Sequence, residues 1–284
     1  MSKEAFAPGG FYSPVVDPVS ARRYLRSAQF SRQAARVDAM LDLPAMLALW
    51  EKIAPKIVAF PFEKTPGFRY HGRNGQFEYY DASILSGMIA HVNPRRIIEI
   101  GAGYSSVAMF DTVERLKRPR LESFLTIDPD LSRIRKLDPP AQIEMLAAEV
   151  QSVPLERFEA LEEGDILFID SSHVMKTASD VHYEYLYILP RLKPGVVVHI
   201  HDIFYPFEYP RRWLVHDRRS WNEVYLVDTM LTYGKSFGIL FFNDAMLKKA
   251  ADRMRAPDDM FHRFEGFPTR PIHAINGSLW LVRR

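Results

Sequence analysis

The sequence predicts an α/β fold: a mainly parallel sheet with helices on both faces, an antiparallel pair at one edge, and a helical extension in front. Three observations predict it. From about Asp81 onward, short apolar and β-branched runs alternate with helical stretches, which is the pattern of strands joined by crossover helices. Those runs ("RRIIEIGAG", "SFLTIDPD", "QIEMLAA", "GDILFIDSSH", "PGVVVHIHD") are apolar along most of their length, as strands buried on both faces are. The last two, "FGILFFND" and "GSLWLVRR", have an irregular segment between them, and a closing antiparallel pair fits that arrangement.

Taken in order, residues 1–16 ("APGGFYSPVV" among them) are rich in Gly, Pro and aromatics and read as an irregular arm. Asp17-Pro18 is a helix opening, with a side-chain acceptor at the cap and a proline at the first helical position. One helical pattern follows through "ARRYLRSAQFSRQAARVDAML", and Asp42 can cap a second helix, "LPAMLALWEKIAPKI". "FPFEKTPGFRYHGRNGQ" is loop. These segments form an N-terminal extension over residues 1–75, with the sheet domain over 76–284. That domain opens with "DASILSGMIAHVN", a helix with Asp81 as its cap. The intervening helices include "SSVAMFDTVERLK" and "DVHYEYLYILPRL".

Bulk properties exclude several chemistries. The chain of 284 residues has no cysteine, so disulfides, zinc–thiolate sites and thiol nucleophiles are absent. Its formal net charge is only +2, and the pairs Arg211-Arg212 and Arg218-Arg219 are short, so a nucleic-acid partner is not expected. No apolar run approaches the ~20 residues of a membrane span, and "MSKEAFAPGG" lacks a signal-peptide core. A soluble, cytoplasmic protein with a small-molecule substrate is the expectation.

"IIEIGAGYSS" (Ile97–Ser106) lies at a strand-to-helix turn. Gly101 and Gly103 permit close approach of a ligand to the backbone, and the helix behind them offers free N–H groups. A dinucleotide loop wants a third glycine where Ser106 stands, and a carboxylate at Glu99 disfavours a pyrophosphate. Asp128, closing the second strand, would accept hydrogen bonds from ribose hydroxyls in either cofactor class. The alternative is a tight turn with a capping aspartate.

At these residues the chain resembles the class I S-adenosylmethionine-dependent methyltransferases, from about Asp81 to Arg284. "EIGAGYSS" looks like their first motif and "IDPD" like their acidic second motif. The resemblance implies a Rossmann-like, three-layer α/β/α domain with a seven-stranded sheet. It implies that Gly101 and Gly103 pass under the methionine portion of the cofactor, with Tyr104 and Ser105 as further cofactor contacts. It also implies that Glu99 lies near the methionine ammonium, that Asp128 holds the ribose and that "AAEVQS" lies near the adenine.

Ligands of open α/β sheets bind beyond the carboxyl ends of the strands, near the point where the winding reverses. "IDSSH" and "HIHD" would then bring Asp170, His173, His201 and Asp202 together. Two carboxylates and an imidazole can hold a divalent cation, which would acidify a substrate hydroxyl. His173 could act as general base, its ordinary pKa lying near neutrality. The resemblance extends to metal-dependent O-methyltransferases of the catechol and macrocin types. It implies Asp170, His201 and Asp202 as metal ligands and His173 or Lys176 as base. His201 stands where a carboxylate is usual, which opens the choice from magnesium to manganese or iron, or to a metal-free pair of His173 and His201. Each residue also has a plainer role: Asp170 as a cofactor contact or cap, His201 and Asp202 as turn caps. His199 and His182 read as packing residues. The loop "IFYPFEYPRRWLVHDRRSW" could wall an aromatic or acidic substrate, or simply pack, and the extension could serve as lid or homodimer face. The expectation is methyl transfer from S-adenosylmethionine to a small-molecule oxygen, with or without a divalent metal (Mg, Mn or Fe). The alternatives are an NAD-dependent oxidoreductase and a non-catalytic partner-binding protein.

Overall fold

In the computed structural model, which describes residues 6–116, 119–254 and 276–284, the extension forms first. Asp17 accepts hydrogen bonds from the Val19 and Ser20 amides and starts α1 (Pro18–Tyr24). The single helix expected next is two helices. Ser27 accepts from the Phe30 amide and donates to the Tyr24 carbonyl, so it ends one turn and caps α2 (Ala28–Asp38). Asp42 caps α3 (Leu43–Ile53) as expected.

The sheet domain alternates as the pattern required: α4 (Tyr79–Val92), β1 (Arg96–Ile100), α5 (Tyr104–Arg115), β2 (Ser123–Ile127), α6 (Ser132–Arg135), β3 (Glu144–Leu146) and α7 (Leu155–Glu159). Then follow β4 (Ile166–Ile169), α8 (Asp180–Tyr183), β5 (Val197–Ile200), α9 (Arg211–Val215), α10 (Glu223–Tyr233), β6 (Phe237–Phe242), α11 (Asn243–Ala250) and β7 (Leu279–Arg283). Three local expectations change. Asp81 does not cap α4. The helix starts at Tyr79, and Asp81 is buried in its first turn, accepting from Asn243 Nδ2 (2.6 Å) and the Gly277 amide (3.1 Å). The "DVHYEYLYIL" helix is only one α turn before it widens into a π turn over Glu184–Ile188. The connection after β6 begins as a helix, and residues 255–275 of it lie outside the described residues.

The seven strands are ordered β3-β2-β1-β4-β5-β7-β6, parallel except for β7, which runs antiparallel to both neighbours. The winding therefore reverses between β1 and β4. In-register pairing aligns Ile100 with Ile127 and Ile169, and Ile169 with Ile200. The amides that follow continue the ladder: Gly101 donates to Ile127, Asp170 to Ile100 and His201 to Ile169. Four strand ends thus finish at one level, with their first loop residues already held. Apolar side chains from both sheet faces, such as Ile97, Phe168, Val198, Phe110 and Ile188, are buried to form the core.

The extension packs on the sheet domain. Gln33 Nε2 donates to the Pro206 and Phe207 carbonyls (2.9 and 3.1 Å), Arg36 pairs with Asp228 on α10 (2.5 Å), and Trp50 lies against Phe241. Among the described residues no helix is long and apolar enough to cross a membrane.

Candidate active site

At the end of β1 the chain must turn beneath a neighbouring backbone. Gly101 has φ +88°, and a β-carbon there would stand 1.8 Å from the Asp170 carbonyl oxygen. Only glycine fits both demands. Gly103 has open space around it, so the loop between the two glycines presents bare backbone. The Ala102 amide donates to Asp128 Oδ2 (2.8 Å) and the Asp130 amide to Oδ1 (2.7 Å), which orients the Asp128 carboxylate.

Two cavities, of about 390 and about 460 Å³, meet at Gly101, Asp128 and Asp170. The second runs past Ala148–Gln151 and Ser171–Ser172 at the ends of β3 and β4. The first runs past Phe77, Tyr104, Ser105, His201, Asp202 and Arg219. Its far wall, Gly75–Glu78, comes from the loop that joins the extension to α4.

Asp170 and Asp202 line one corner of the first cavity, and with His173 each offers one ligand atom, all within 4.8 Å of one another. His173 Nε2 is 3.3 Å from Asp202 Oδ2 and 3.5 Å from Asp170 Oδ1. His173 Nδ1 meets Glu223 Oε2 at 2.8 Å. Both His173 (φ +60°) and Asp202 (φ +57°) adopt left-handed backbone, sparsely populated for residues with a side chain and common where function over-determines geometry. The Asn222 and Glu223 amides donate to the His173 carbonyl, and Tyr185 donates its hydroxyl hydrogen to Glu223 Oε1 (2.9 Å). His173 is therefore clamped by the start of α10.

The charges follow from this packing. Burial alone would lower the His173 pKa, but Asp170, Glu223 and Asp202 outweigh it and hold the ring as imidazolium well above its usual range. Burial would raise Asp170, yet the charges of His201 and His173 pull it down to about 2. For Asp202 burial wins, and its pKa is raised. His201 is raised against its burial by Asp170, Asp202 and Asp81. Carboxylates thus face both nitrogens of His173, an arrangement that favours its protonated form over the free base expected from the sequence.

A family model described as a methyltransferase domain matches residues 98–203, from β1 through the cluster at the end of β5. An uncharacterised protein of Archaeoglobus fulgidus is 32% identical over 171 residues, covering 57% of this chain and 76% of that protein. The chain belongs to the class I S-adenosylmethionine-dependent methyltransferase family. Among solved structures it is similar to an SAH-bound methyltransferase of Podospora anserina (14% identity, 99% of this chain and 100% of that one, TM-score 0.42). It is also similar to a putative methyltransferase of Thermobifida fusca (12%, 84% and 92%, 0.46) and to an SAH complex of a Bacillus cereus O-methyltransferase (12%, 78% and 88%, 0.37).

In this methyltransferase two further expected site residues, Glu99 and His201, stand apart from that trio. Glu99 does not line either cavity. It is fully buried beneath the glycine loop and accepts hydrogen bonds from Ser105 (2.9 Å), Ser106 (2.7 Å) and Thr126 (2.8 Å). Burial raises its pKa to about 8 against those three hydroxyls. From there it braces the loop from below. His201 lines the cavity but is not part of the convergent trio, and His173 takes that position. His199 stacks on Phe168 (3.9 Å) and pairs with Ser278 Oγ (2.9 Å), away from both cavities. Of the residues missed in the sequence, Glu223 matters most. It stands 50 positions from His173 and reads there as an ordinary acid in a first helical turn. Glu78 on the cavity wall was hidden in a loop.

Proposed function

We propose that this methyltransferase moves a methyl group from S-adenosylmethionine to a hydroxyl oxygen of a small molecule. One observation supports it above the rest: the bare-backbone glycine loop lines one cavity with Asp170 and Asp202, the carboxylates that converge on His173. The residues fit the cofactor. The second cavity, with Asp128 at its mouth, suits a nucleoside, and Asp128 would accept from the ribose hydroxyls. Bound there, S-adenosylmethionine supplies an electrophilic methyl group on a sulfonium. The chain's own work is to set the acceptor oxygen in line with it and to take its proton.

The corner also fits a divalent cation. Glu223 on Nδ1 directs Nε2 toward the two carboxylates, as the outer carboxylate of a metal-ligating histidine does. An imidazole with two carboxylates suits magnesium, manganese or iron. Held by Asp170, His173 and Asp202, such an ion would acidify the acceptor hydroxyl. A second, metal-free reading is favoured by the imidazolium already balancing the carboxylates. In it Asp202, with its raised pKa, takes the proton.

Calorimetry should show S-adenosylhomocysteine binding and no NAD binding, and the reverse result removes the cofactor assignment. Asp128→Ala should weaken that binding about 10- to 100-fold, the worth of one charge-assisted hydrogen bond; unchanged affinity removes its ribose role. Asp170→Asn and Asp202→Asn should each lower turnover of an identified acceptor by roughly 100-fold or more while sparing cofactor affinity. Activity lost to EDTA and restored by manganese supports the metal reading, and activity indifferent to EDTA supports Asp202 as the base.

A further inference from the structure

Building on that reading of the site, we infer that the methyl acceptor is a compact hydroxy acid and that Arg219 binds its carboxylate. Arg219 lines the same cavity as Asp170 and Asp202. Its guanidinium carbon lies 4.0 Å from the Trp213 ring centroid and 4.7 Å from that of Trp221. The two indoles stand edge to face, 5.2 Å apart at 78°, so the cation rests in a corner of two walls that fix it.

The indoles hold the cation through its charge and offer no oxygen acceptor to its planar N–H fork. That fork matches the two oxygens of a carboxylate. Among the described residues no carboxylate or carbonyl accepts from the Arg219 guanidinium. The loop's other side-chain arginine contact is different in kind: Arg212 pairs with Asp217 at 3.7 Å, outside the cavity. Arg133, across the cavity, is turned to Gln76 Oε1 (2.7 Å). Arg219 is thus a half-buried, immobilised cation with its donors unspent, facing a reaction corner.

Position gives the size of the ligand. Trp221, on which Arg219 rests, also touches the His173 ring (4.5 Å between centroids). One indole separates the cation from the acid–imidazole corner. A ligand with its hydroxyl at Asp170 and Asp202 and its carboxylate at Arg219 spans about that width. The acidic side chains around the cavity (Glu78, Asp128, Asp170, Asp202) would repel an anion placed elsewhere, so they orient as well as select.

Arg219 acts electrostatically on Asp202, so charge balance within the corner is the competing role, and the cofactor's own carboxylate is the competing ligand. One experiment separates them. The protein loaded with S-adenosylhomocysteine is titrated calorimetrically with 4-hydroxybenzoate, 3,4-dihydroxybenzoate and malate, each beside its methyl ester. At least one acid should bind about tenfold or more tighter than its ester. Arg219→Met should erase that preference while cofactor affinity stays within about twofold, and Arg219→Lys should restore it only in part. The inference falls if no acid outbinds its ester, or if Arg219→Met keeps the preference. It also falls if Arg219→Met weakens cofactor binding by about tenfold, which would assign the cation to the cofactor. Failure of S-adenosylhomocysteine to bind wild-type protein would instead refute the methyltransferase reading itself.

Discussion

Gly101→Ala should cost about 4 kcal/mol or more of stability and abolish S-adenosylhomocysteine binding. The obstacle is backbone: the new methyl would lie 1.8 Å from the Asp170 carbonyl oxygen. Relief requires moving Asp170, whose amide is bonded to Ile100, and so parting β1 from β4 at the strand ends. The residue also sits at φ +88°, where a side chain adds strain. Gly103→Ala is the control. Nothing lies within 4 Å of its added carbon, so it should unfold in denaturant like the parent. Any affinity it loses reports a ligand close to the loop. If Gly101→Ala unfolds like the parent too, the tight approach of the two strand ends is wrong.

Glu223→Ala should be nearly as damaging, by about 3–5 kcal/mol, the typical cost of removing one partner of a buried ion pair. Glu223 is fully buried, and its loss would leave both His173 Nδ1 and the Tyr185 hydroxyl without their acceptor. Glu223→Gln keeps one acceptor oxygen and should recover part of the stability. It also removes the negative charge that helps hold His173 as imidazolium, so its His173 ring signals should titrate at lower pH than in the parent. A Glu223→Ala protein with parental denaturation would show that α10 does not clamp His173.

What was legible in the sequence was what is periodic or local. The five parallel strands announced themselves as apolar runs, Gly101 as a glycine at a strand-to-helix turn, Asp128 as an acid closing a strand. Asp170, His173, His201 and Asp202 could be grouped because topology alone brings adjacent strand ends together. What was not legible depends on side-chain direction. Whether His173 or His201 joins the two aspartates is decided by left-handed backbone at 173 and 202 and by Glu223, all set by packing across the fold. Glu99 is one strand position from the loop, but its side chain points under the loop, where three hydroxyls meet it. The break at Ser27 follows from one hydroxyl serving two turns, which a helical period running through it conceals.

The common level of the strand ends has a consequence for how this protein could change. Gly101, Asp170 and His201 are anchored through their main-chain amides, which no side-chain exchange removes. The platform therefore needs little reorganisation when its fittings differ, whereas residues 204–221 carry both the aromatic corner and Arg219 and lie beyond the strand pairing. New acceptors would be gained by rewriting that one segment, with the chemistry at the strand ends inherited unchanged.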